Sequence, residues 1–145
     1  MGLEQWKSIV QIGSYLVAAV ASIWAIRTYV RNSRRDRARW TIQLFEKFYE
    51  VRRYRKVRDL LDGVAEAPEI RAFVDREPSE FTDYLNFFEL VIFLVHTGQL
   101  EESDVLGIFQ YYLGCLQRHT PVMAYLNNKG KGFERLSEFL NKAKL

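Results

Sequence analysis

The sequence predicts an all-α protein, with an N-terminal transmembrane helix continuing into a cytosolic bundle of four or five helices. Three observations predict this class. No residue between Lys7 and Arg27 is charged. Beyond Arg39, apolar residues recur at three- and four-residue steps, the period of a one-sided helix. No segment shows the two-residue alternation of a half-buried strand, and no repeat or low-complexity tract interrupts the chain.

The first element is the uncharged stretch itself. Ile9–Ile26 is mostly Ile, Val, Ala, Leu, Tyr and Trp. At about 1.5 Å per residue the stretch spans roughly 28 Å, the hydrocarbon thickness of a bilayer, and a helix satisfies its own backbone hydrogen bonds there. Arg27, Arg31, Arg34, Arg35, Arg37 and Arg39 follow at once, against Lys7 alone on the other side. This excess orients the C-terminal side to the cytoplasm, so a membrane crossed once is the expected location. Ala19-Val20-Ala21 has the small-x-small form of a signal-peptide cleavage site. Glu4 stands beside Lys7 where a signal peptide carries a positive cluster, and the apolar run continues into a basic stop, which favours an anchor. Gly13, Ser14, Ala18, Ala21, Ser22 and Ala25 form a small-residue stripe through which copies of the helix could associate. Gln11, Ser14 and Ser22 would face a pore lumen if several copies assembled.

The chain of 145 residues leaves room for one compact domain beyond that anchor. The expected division is an anchor over 1–30, a basic juxtamembrane helix over 31–62, and the rest of the cytosolic domain over 63–145. The net charge of +3 conceals an asymmetry: residues 27–58 hold twelve Lys/Arg against three Asp/Glu, whereas 59–145 hold eight against fourteen. A basic cluster beside a membrane is attracted to anionic headgroups, so lipid, and not nucleic acid, is the expected contact of the six arginines from Arg27 to Arg39. Cys115 is the only cysteine, which excludes an intrachain disulfide and fits a reducing compartment.

No Gly or Pro occurs from Ser14 to Asp62. Asn32-Ser33 is the most plausible helix break, because short polar side chains compete for backbone hydrogen bonds. Trp40, Leu44, Phe48, Val51, Tyr54 and Leu61 then line one face, expected to carry assembly of the helical domain. Gly63 and Pro68 punctuate the chain before a short helix near Glu69–Asp75, and Ser79 is the expected cap of the next helix. Phe81–His96 is nearly all apolar and too short to span a bilayer, so it reads as the central buried helix, ended by Gly98. A helix from Glu101–Asp104 to about His119 should bury Val105, Ile108, Phe109, Tyr112 and Leu116. Thr120-Pro121 suits a cap with a first-turn proline for a short helix to Leu126. After a loop over Asn127–Gly132, the last helix runs from Phe133 to about Lys142.

Glu89 is the most informative polar residue. A carboxylate inside Phe87-Phe88-Glu89-Leu90-Val91 is costly unless it is paired, so it predicts a buried ion pair, with an Arg of the basic helix as partner, or a contact to a ligand or protein. Asn86, three residues earlier, shares that part of the helix. Cys115 and His119 stand one turn apart, as a metal pair or nucleophilic dyad requires, yet four ligands are not in view. No metal, cofactor or catalytic residue is expected. Asn127-Asn128-Lys129-Gly130-Lys131-Gly132 lacks the phosphate-loop pattern and reads as a turn. Tyr111-Tyr112 reads as core and not as a nucleobase stack.

The membrane helix with its Arg-rich exit, Leu85-Asn86-Phe87-Phe88-Glu89, Gly98-Gln99-Leu100-Glu101 and Phe133-Glu134-Arg135-Leu136 together resemble small bacterial membrane-anchored helical proteins of a domain-of-unknown-function family. The resemblance implies a cytosolic helical domain on one membrane helix, no established active site or cofactor, and Asn86 and Glu89 as the positions that carry over. A second likeness, of architecture alone, is to membrane accessory proteins of CRISPR and other antiphage systems. Some of those resemble HEPN ribonucleases, which place His four to six residues after Arg; here Arg118 adjoins His119. The expected function is therefore a non-enzymatic membrane protein that binds itself, as a homo-oligomer, or an unknown cytosolic protein. The alternative is a pore-forming or membrane-disrupting effector of antiviral defence.

Overall fold

The computed structural model describes residues 3–63, 67–143 and 145, and their side chains from residue 19 onward except residue 34. The described residues form seven helices: α1 (Leu3–Glu50), α2 (Arg52–Asp62), α3 (Ala67–Arg76), α4 (Pro78–His96), α5 (Glu102–Arg118), α6 (Thr120–Leu126) and α7 (Glu134–Lys142). No strand occurs among them, so the all-α class holds. The short α3 and α6 stand where the sequence places them, and the division of the basic helix at Val51 is the element boundary that the sequence does not predict. The chain forms two compact units, Met1–Arg39 and Trp40–Leu145.

In the first unit, among the described residues, no helix is long and apolar enough to cross a membrane. The predicted transmembrane helix is thus not found there. Residues 9–18 of that span lie outside the described side chains, and from Ala19 only eight uncharged residues precede Arg27. Gly13, Ser14, Ala18 and Arg34 fall outside the described side chains as well. The expected break at Asn32-Ser33 does not occur, since both residues are helical. Two weak helix formers cost only a few tenths of a kcal/mol each, or about 1 kcal/mol together, which Arg-rich neighbours tolerate.

The second unit is built around α4, which packs against α2, α3, α5 and α7. Its run of apolar side chains demands that position: Phe81, Tyr84, Leu85, Phe87, Phe88, Val91 and Ile92 are all buried. Pro78 takes the first helical turn with Glu77 at the N-cap position, which displaces the expected Ser79 cap. Gly98, at φ 71°, ends α4, and the amides of Gln99 and Leu100 return to the Leu94 carbonyl at 2.9 and 3.1 Å. His119, not Thr120, holds the N-cap position of α6, with Pro121 in the first turn as expected.

Phe48 is the hub of the core. It is fully buried, and its ring lies 4.9–5.8 Å from those of Tyr84, Phe87, Phe88, Phe109 and Tyr112. The chain leaves α1 directly after it: Val51 is extended at φ −72° and ψ 104°, and Arg58 of α2 donates to the freed Phe48 carbonyl at 2.9 Å. The Arg58 guanidinium also lies over the Phe48 and Tyr49 rings, at 4.9 and 4.4 Å.

Candidate functional site

The residues expected to mediate assembly of the helical domain largely close its own core. Phe48 is inaccessible, Leu44 and Tyr54 pack against the core, and Val51 is half-buried at the helix break. Trp40 remains 49% exposed, beside a shallow cleft of about 260 Å³ that Leu44, Lys47 and Leu94 help to line. A face that must pack on something has packed on its own domain.

Glu89 is paired, with a partner that differs from the expected arginine of the basic helix. Its Oε2 accepts the backbone N–H of Leu136 at 2.8 Å and its Oε1 accepts from Arg135 Nη1 at 3.3 Å. Leu136 lies in the first turn of α7, where backbone amides lack intrahelical partners, so the carboxylate of α4 caps α7 from across the core. The Arg135 guanidinium lies over the Phe93 ring at 5.2 Å. Asn86, one turn before Glu89 on α4, is exposed and is not a buried polar residue.

Cys115 and His119 do not form a dyad. α5 ends at Arg118, so His119 leaves the helical register and its Nε2 donates to the Leu61 carbonyl at the end of α2, at 3.0 Å. Cys115 is buried, and Arg118 Nη2 donates to its sulfur at 3.0 Å. Among the described residues, no three His, Cys, Asp or Glu side chains are grouped to hold a metal ion. The loop before α7 is a pinned turn. Gly130 and Gly132 take φ 91° and 85°, and Asn127 Oδ1 accepts from Ser137 Oγ at 2.6 Å and Asn141 Nδ2 at 3.0 Å.

A tyrosine cluster that periodicity alone does not bring together lies where α1, α2 and α5 meet. The Tyr49 and Tyr112 hydroxyls are hydrogen-bonded to each other, and Tyr111 donates to Asp62 Oδ1. Burial, then the bond to Tyr49, pushes the Tyr112 phenol up to about 12. Tyr111 is exposed and not core, whereas Tyr112 packs against the core as predicted. Tyr84 is buried with its hydroxyl unpartnered, and burial raises its pKa well above the usual value. These groups are arranged as packing contacts and as bonds between helix ends.

In the first unit, Val20, Ile23, Trp24, Ile26, Tyr29 and Val30 are exposed, as are Ala21, Ser22 and Ala25 of the small-residue stripe and Arg27, Arg31, Arg35 and Arg39 of the basic cluster. Arg37 is half-buried. The exposed apolar residues are not confined to one side of the helix, so no single packing partner would cover them.

Residues 15–112 match the family model described as a domain of unknown function, DUF4760. The chain belongs to this family. The DUF4760 match takes in α2, α3, α4 and most of α5, and stops short of α6 and α7. The contact of Glu89 with α7 therefore joins the matched segment to the part beyond it. No curated protein and no solved structure matches the chain.

Proposed function

We propose that this DUF4760 protein is a non-enzymatic, single-pass inner-membrane protein whose cytosolic helical domain binds a second copy or another protein. The observation that carries the reading is the exposure of Val20, Ile23, Trp24, Ile26, Tyr29 and Val30 on several sides of α1, next to the uncharged stretch that begins at Ser8. A helix that is apolar all round finds its environment in lipid or inside an assembly. The arginines from Arg27 to Arg39 support a cytoplasmic orientation of the chain beyond them, with anionic headgroups as their contact. The described residues of the second unit bring no acid, base and nucleophile together, which supports a binding role.

Cell fractionation tests it. The full chain is expected in the membrane pellet after an alkaline carbonate wash, and a variant lacking residues 1–32 in the supernatant; extraction of the full chain by carbonate overturns the membrane reading. A membrane-opening assembly, as in the antiphage accessory proteins of similar architecture, uses the same helix and differs in one outcome, dye entry into cells or vesicles carrying the protein.

A further inference from the structure

The outward face of α5 carries Asp104, Gly107, Tyr111, Gly114 and Arg118 at alternating steps of three and four residues, which makes one continuous helical seam. Asp104, Gly107, Tyr111 and Arg118 are exposed and Gly114 is half-buried. The glycines open a cleft of about 520 Å³ along the helix, flanked by Leu106, Gln110 and Leu145. A Cβ at Gly107 would meet nothing within 4 Å, and one at Gly114 only Leu145 at 3.8 Å. Tyr111, at the centre, is held by its hydrogen bond to Asp62, so its ring is set before any partner arrives.

Read in chain order, the seam is acid, glycine, tyrosine, glycine, base. Read backwards, it keeps the same shape and inverts the charges. A second copy turned by half a rotation about Tyr111 therefore sets each Asp104 against Arg118 of the other copy and each Gly107 near the other copy's Gly114. A parallel pairing would oppose Asp104 to Asp104 and Arg118 to Arg118. We propose that α5 pairs antiparallel with α5 of a second copy, through glycine contacts that let the helices approach closely and two symmetric Asp104–Arg118 ion pairs. An interface confined to one helix face lies near or below about 1,200 Å², so the dimer is reversible and concentration-dependent. This names the surface for the self-association half of the proposed function and rests on that half alone; it uses no residue of 1–39.

The test is the molar mass of the full chain in mild detergent, corrected for bound detergent, over a range of protein concentration. The wild type should double in mass as concentration rises. Asp104→Arg and Arg118→Glu should each abolish that step, and the double variant should restore it. An equimolar mixture of the two single variants should restore it too, since both ion pairs re-form between unlike copies. Gly107→Leu should also abolish the step, with helicity by circular dichroism unchanged, because the site is open and Leu is the better helix former. A wild type that never doubles, or a doubling that survives both single charge reversals, overturns the proposal. Mass changes that occur only on deletion of residues 1–32 would overturn it and leave the membrane reading standing; charge-reversal behaviour in a carbonate-extractable protein would do the opposite.

Discussion

Two stretches of this chain are rich in apolar side chains and nearly free of charge, and they have opposite fates. In α1, Val20, Trp24 and Ile26 are 66, 71 and 63% exposed; in α4, Tyr84, Leu85, Phe88 and Val91 are wholly inaccessible. Hydrophobicity shows that a side chain leaves water, not what it enters. The difference lies in the polar group each stretch tolerates. α4 carries Glu89, whose carboxylate is satisfied by a backbone N–H and a guanidinium that only protein can supply. Residues 8–26 carry no acidic or basic side chain, and lipid tails offer no partner for one. Acidic side chains with designated protein partners, Glu80, Asp83 and above all Glu89, thus mark α4 as a helix made for a protein core, whereas residues 8–26 hold none.

The largest way to break this comparison is to empty the core. Phe48→Ala removes the ring at the centre of the aromatic core and should destabilise the second unit by about 3–5 kcal/mol, read as a shift of the urea midpoint. Next comes the charge itself. Glu89→Ala orphans the Leu136 amide and the Arg135 contact and should cost about 2 kcal/mol, most of which Glu89→Gln should recover by keeping one acceptor. Equal losses in the two variants would show that the capping bond contributes nothing.

The elements of the second unit were legible because they are local: the apolar run of α4, the stop at Gly98, Pro121 in the first turn of α6, and the Gly130–Gly132 turn each act within a few residues. What was not legible is long-range. Nothing between Phe48 and Arg52 breaks a helix except the β-branched Val51, a weak signal; the break arises from Phe48 being drawn into the centre and Arg58 taking its carbonyl. Glu89 was legible as a residue needing a partner, while its partners lie 46 and 47 positions away, beyond any helical period. The expected assembly face illustrates the same limit, since periodicity shows that a face packs without showing whether its cover is the same chain.

Tyr84 sharpens the point about satisfied polarity in the reverse direction. Its hydroxyl is buried without a partner, so Tyr84→Phe should leave the fold intact and raise stability by about 1 kcal/mol in thermal melts. A loss of stability would mean that the hydroxyl is satisfied in solution. Tyr112 gives a smaller, pH-dependent effect. Its folded pKa, about 12, lies above the ordinary value of 10.0, so the fold prefers the neutral phenol. Its contribution is fully present below pH 10.0 and is lost as pH rises toward about 12. Tyr112→Phe should therefore make the alkaline limb of the stability profile shallower between those values and leave the profile near neutrality with no change in slope.

The smallest expected effect is the most diagnostic for α1. Ile23→Ala and Trp24→Ala remove exposed apolar side chains from a unit separate from the α4 core, so the urea midpoint of the second unit should stay within about 0.5 kcal/mol of wild type. A shift as large as that of Phe48→Ala would mean that these residues are core after all. An unchanged midpoint together with weaker retention in the carbonate-washed membrane pellet would mean that their burial is supplied from outside the folded domain, as the proposed membrane reading requires and as the buried residues of α4 do not.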